Sequence, residues 1–209
     1  AALSSLALLA FFSHGETFQS KRYGDNIRKG CDFLIELANA PNIEYAGKGF
    51  GHAILTYALA EGFAVTGSLS LRNALENRMK YILSHQNAFG SFAMNYDNSP
   101  QPPPTQEQLN GHPLFREIMV GEPACDLSLL GWHIQALTAA KNAGINMENL
   151  DKSLTMALEA IVKIAEKAPL RTHVESAVHA LQRLADAELM EQEMADERIL
   201  KLEKMKFKP

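Results

Sequence analysis

The chain has 209 residues, of which 46% are hydrophobic and 21% charged, enough to bury the core of one globular domain. Its 20 basic and 24 acidic residues leave a formal charge of −4, which offers no general positive field to nucleic-acid phosphates, so no nucleic-acid partner is expected. Cys31 and Cys125 are the only cysteines, which excludes a disulfide scaffold and leaves the redox compartment open.

The opening Ala1 to Phe12 is apolar but has neither a basic leader nor an initiating Met. It reads as part of a mature chain rather than an intact signal peptide. Apolar runs are broken at helical intervals by Ser, Gly, Glu or His. No membrane span is expected, and the protein reads as soluble.

Helical periodicity dominates from the start. Leu3, Leu6, Leu9, Ala10 and Phe12 or Ser13 trace much of one face of a short first helix, which Gly15 stops. Asp25 is placed to cap a second helix whose Ile27, Cys31, Leu34, Ile35 and Ala38 turn inward, and Pro41 ends it. Gly47, Gly49 and Gly51 loosen the approach to His52. A third helix follows with Ala53, Ile54, Tyr57, Ala58, Ala60 and Phe63. The Thr66-Gly67-Ser68 break leads into a fourth, striped by Leu71, Ala74, Leu75, Met79, Ile82 and Leu83. No succession of alternating strands supports a Rossmann fold.

Between Asn87 and Gly121 the character changes. Gly90, Pro100, Pro102, Pro103, Pro104, Gly111 and Pro113 punctuate a long connection that could form a rim or lid, anchored by Phe89, Phe92, Tyr96, Leu114 and Phe115. Asp126 or Ser128 then starts a helix with Leu129, Leu130, Ile134, Leu137 and Ala140 inward, ended by Gly144. Asn149 or Asp151 begins the next, with Leu154, Ala157, Leu158, Ile161, Val162 and Ala165 on its apolar face up to Pro169. A further helix from Thr172 or His173 turns Val174, Val178, Leu181 and Leu184 inward. The last segment is a charged helix or docking arm, supported by Glu197 and Lys201 at i,i+4 spacing.

The ordered segments Leu6–Thr17 with Tyr23-Gly24, Gly51–Gly62, Tyr81–Gln86 and Asp126–Leu137 with Ala140–Gly144 resemble bacterial proteins built of prenyltransferase and squalene-oxidase-type repeats. These are similar to the α/α toroid of terpenoid cyclases and protein prenyltransferases. The likeness spans roughly residues 3 to 168. It implies an all-α, incomplete or reduced toroid of antiparallel helical hairpins over residues 1–185, with a proline-bearing insertion at about 90–121, and a terminal helix or arm at 186–209. It also implies an exported, extracytoplasmic bacterial protein. The chain departs from the family at Gly90-Ser91-Phe92, where a second glycine and a tryptophan are common.

The chemistry of that family is not legible here. Cys125 directly precedes Asp126, so the Asp-x-Cys order of a prenyltransferase zinc site is absent, and neither His133 nor distant His52 completes one. Asp-x-Asp-Asp and Asp-Asp-x-x-Asp sequences are absent, and Asp97 and Asp126 suit turns and caps. Neither cysteine precedes the Gly-Glu-Gln of an internal thioester, nor pairs with a histidine at a spacing that predicts a nucleophile.

No catalytic residue, metal ligand or cofactor is therefore assigned. The expected function is a non-catalytic helical binding or interaction module for a protein, a peptide or an apolar small molecule. The alternative is a prenyl- or terpenoid-processing enzyme. His52, Tyr57, Glu61, Phe92, Tyr96, Asp126, Trp132, His133 and Gln135 are the expected ligand-binding residues. They bring aromatic and hydrogen-bonding groups to matching helices and to the connection that could cover them. The terminal helix offers a possible docking element.

Overall fold

The helical periodicities become eight helices among the described residues of the computed structural model, which are 2–40, 49–87, 89–92, 127–167 and 171–205. The helices are α1 (Ala2–Ser13), α2 (Gly24–Asn39), α3 (Gly49–Thr66), α4 (Leu69–Ser84), α5 (Leu127–Asn142), α6 (Leu150–Lys167), α7 (Arg171–Asp186) and α8 (Gln192–Glu203). The fold is all-α. Among the described residues the β pairing is a single isolated antiparallel bridge between Gln86 and Phe92. The chain divides into two compact units. The first holds α1 to α5 with Phe92, and the second holds residues 87–91 and the helices from Asp151 onward.

In the first unit α3 is the central element, packed by α1, α2 and α4. Residues 51–56 and 58–60 of α3 are all buried. An apolar stripe is not needed over such a stretch, which is covered on nearly every side. The helix also begins earlier than its glycines suggest. Gly49 and Gly51 lie buried inside its first turn rather than in a loose approach, so His52 is a helical residue.

The inward face of α1 differs from the expected one. Ser5, Leu8 and Phe12 are buried, while Leu3 is 83% exposed and Leu6 is 39% exposed. The helix is apolar all round, so its sequence favours no single face, and packing against α3 selects one. The hydroxyl of Ser5 is buried without a hydrogen-bond partner. Ser5→Ala should therefore raise stability by about 1 kcal/mol, measured as a higher urea midpoint at unchanged slope.

The amphipathic α2 buries Ile27, Cys31, Leu34 and Ala38 as its stripe predicts, while Ile35 at the edge of the stripe is half-buried. Asp25 stands in the first turn and Tyr23 occupies the N-cap without a side-chain cap bond. Asp25 thus acts on the positive end of the helix dipole and does not cap it. Gly67, at φ +65, makes the turn between α3 and α4. On α4, Leu71, Ala74, Leu75, Met79 and Ile82 are buried, and so is Arg78.

In the second unit, α6 buries the whole predicted stripe of Leu154, Ala157, Leu158, Ile161, Val162 and Ala165. Asn87 Oδ1 accepts hydrogen bonds from the amides of Phe89 and Ser91, both at 3.0 Å. Gly90, at φ +97 within that turn, lies so close to Met156 that a β-carbon would overlap its carbonyl. The terminal helix α8 packs on α7 and buries Ala195 and Leu202. Arg198 donates to both carboxylate oxygens of Glu159, at 2.6 and 2.9 Å. The Glu159 bonds hold the Arg198 guanidinium above its ordinary pKa. Such a two-point pair, about a quarter exposed on each side, is stronger than a surface ion pair. Arg198→Met should cost about 1–2 kcal/mol and speed amide exchange across α8.

Candidate functional site

The first unit gathers most of its buried polar and aromatic side chains where α3, α4 and α5 supply them. His52 enters from the first turn of α3, and Tyr81 comes from the last turn of α4. Their ring centroids are 5.0 Å apart and tilted by 39°. His85, the C-cap of α4, lies 4.3 Å from the same tyrosine ring on a centroid basis. Its Nδ1 is 2.7 Å from the Tyr81 carbonyl, a distance at which Nδ1–H is the donor. Arg78, three residues before Tyr81 and therefore beside it on the helix, places its guanidinium carbon 4.7 Å from the ring centroid.

His133 is fully buried on α5, and its Nδ1–H donates to the Leu129 carbonyl at 2.8 Å. That bond fixes the tautomer and leaves Nε2 as the acceptor nitrogen. Phe92 stacks on the His133 ring at 4.0 Å and 8°. Phe92 is also fully buried, so the pair excludes water from this part of the unit.

Burial decides the charge state of both imidazoles. It pushes His52 down to about 3, with the nearby charges of Arg78, His133 and His85 adding to the shift. It pushes His133 down to about 4, against the opposing bond to the Leu129 carbonyl. Both rings are neutral at physiological pH. Burial lowers Arg78 as well, but a guanidinium starts so high that it remains a cation. Arg78 is only 5% exposed, and its Nε and Nη1 are buried with no hydrogen-bond partner. Among the described residues it makes no ion pair.

The expected binding residues are thus distributed. His52, His133 and Phe92 belong to this cluster. Tyr57 and Glu61 form a separate half-buried pair on α3, where burial and then the Glu61 carboxylate push the Tyr57 hydroxyl up. Trp132 is half-buried and Gln135 exposed on α5. Tyr96 and Asp126 lie outside the described residues, as does Cys125.

Arg78, Tyr81 and His85 were missed by the sequence reading. A signal for them existed: Arg78 falls on the α4 stripe, four residues after Ala74 and four before Ile82. A cation at such a position must either reach out of the core or find compensation within it.

Nucleophilic chemistry finds no support in Cys31. Its thiol is buried, and burial together with the Asp32 charge pushes it up to about 11, which keeps it protonated and inert. Among the described residues no group of three His, Cys, Asp or Glu side chains is arranged to hold a metal ion. No helix of the described residues is long and apolar enough to cross a membrane.

In comparisons with known proteins, the chain matches no family model, and neither a curated protein nor a solved structure matches it significantly.

Proposed function

We propose that the chain is a non-catalytic helical binding module whose ligand is held in the first unit, where His52, Arg78 and Tyr81 meet. The observation that carries this reading is the gathering of a buried cation and ring side chains on adjacent helices α3 and α4. These groups can orient a ligand by stacking and by hydrogen bonds. General acid or base work at neutral pH fits them poorly, because a histidine held near 3 is a weak base and one held near 4 no better. The same reading takes the body to be a reduced α/α toroid exported from a bacterial cell, on the strength of the sequence likeness over residues 3 to 168.

Native mass spectrometry of freshly purified, untagged protein tests it. The expected result is a small molecule retained at one per chain and released chemically unchanged, with no metal. A stoichiometric zinc ion, or a prenyl adduct that is converted on incubation, would replace this reading with the prenyl-processing enzyme.

A further inference from the structure

Arg78 is a core position occupied by a cation. It shares the inward face of α4 with Leu71, Ala74, Leu75 and Ile82, all of which are buried. A guanidinium carries five N–H donors, one on Nε and two on each terminal nitrogen. Burial of Nε and Nη1 without partners therefore leaves three of those donors unmet. The Tyr81 ring, 4.7 Å away, compensates the charge in part through its π face, but it accepts none of these donors in a hydrogen bond.

The described surroundings do not neutralise it either. Among the described residues no carboxylate pairs with Arg78. Among the described residues the ring beside it is that of Tyr81, on which the His52 and His85 rings pack in turn. An uncompensated buried charge is among the most destabilising features a core can hold. One kind of partner resolves this arrangement, namely an anion with several acceptor oxygens and a size that fits beside two rings. The small exposed fraction of the residue gives such a group its approach.

We infer that the ligand of this module carries an oxyanion, a carboxylate or a phosphate, that binds Arg78 with the His52 and Tyr81 rings alongside. The inference rests on the binding reading above and names the chemistry of its ligand. Arginine suits this task because its planar fork matches the oxygens of either group.

The test is thermal unfolding of the full chain in millimolar inorganic phosphate, pyrophosphate or acetate, each at constant ionic strength against chloride. Wild-type protein and Arg78→Met are compared. Arg72→Met, which removes the same charge from an exposed site on α4, is the control. The expected result is a saturable rise in Tm of about 5–10 °C at a hundredfold excess over Kd. It should be retained in Arg72→Met and lost in Arg78→Met. Without added anion, Arg78→Met should melt no lower than wild type, because the methionine fills the site without a charge.

A response to phosphate and pyrophosphate alone identifies a phosphate ligand, and a response to acetate alone a carboxylate. An equal response in Arg78→Met, no response in wild type, or an Arg78→Met protein that fails to fold would each overturn the inference. If the native mass spectrum of Arg78→Met still shows the retained small molecule, the binding reading stands and only its anionic chemistry falls. If wild type retains no molecule and answers to no anion, both fall.

Discussion

Acidification from pH 6.5 to pH 4 is expected to unfold the first unit, through His52 and His133. The ordinary histidine value is 6.5, and the folded protein holds His52 at about 3 and His133 at about 4. Below 6.5 the unfolded chain takes up protons that the folded chain refuses. Stability from these groups is therefore complete above pH 6.5 and falls as pH drops, at about 1.4 kcal/mol per pH unit for each histidine. The loss from His133 ends near pH 4 and that from His52 near pH 3. Over that window the sum is comparable with the entire marginal stability of a domain.

Urea unfolding followed by circular dichroism between pH 7 and pH 4 measures the slope. His52→Gln and His133→Asn should each flatten it by about one histidine's share, Asn being chosen to keep a donor near the Leu129 carbonyl. Identical slopes in wild type and both variants would mean that the imidazoles are already charged in the native state.

Phe92→Ala is expected to be the most damaging single substitution at the cluster. The side chain is 1% exposed and stacks on His133 at 4.0 Å. Its removal loses the transfer energy of an aromatic ring and leaves a cavity beside a buried imidazole, at a cost of about 3–5 kcal/mol. Water admitted to that cavity would also solvate His133 and return its pKa toward 6.5. The variant should therefore be less stable at neutral pH and less steeply acid-sensitive than wild type. Phe92→Leu separates the two effects, since it keeps most of the apolar volume but loses the stack. A Phe92→Ala protein with wild-type stability would show that the ring is not part of the core.

Legibility in the sequence tracked amphipathicity. On α2 and α6 the apolar residues recur on one face with charged residues opposite, and Ile27, Cys31, Leu34 and Ala38, like Leu154, Ala157, Leu158, Ile161, Val162 and Ala165, are buried where the period puts them. On α1 and α3 apolar residues fall on every side of the helix, so the period carries no information about orientation. Leu3 was expected inward and lies outward, whereas Ser5 lies inward with its hydroxyl unbonded.

The candidate site was legible only in part. His52, His133 and Phe92 stand out as ring-bearing groups in apolar surroundings, and all three are buried. The stripe position of Arg78 sets it apart from Arg72 six residues earlier, but does not say whether its guanidinium stays in the core or reaches out of it. Arg72 bonds Glu76 on the exposed surface, while Arg78 points into the core. The stripe marks their difference of helix face, and the packing of α4 decides that the Arg78 side chain remains buried.

The all-α class, the turns at Gly67 and Gly144 and the inward stripes of α2, α4, α5 and α6 follow from the sequence by itself, because 3.6-residue periodicity and breaker residues are local properties of the chain. Tertiary structure decided which side of the all-apolar helices is inside. It also decided that α8 is fastened by Arg198 to Glu159, 39 residues away, and that Arg78, Tyr81, His52 and His85 share one environment. Burial and proximity between distant segments set the charge state of an imidazole and the loneliness of a guanidinium, and no local pattern encodes either.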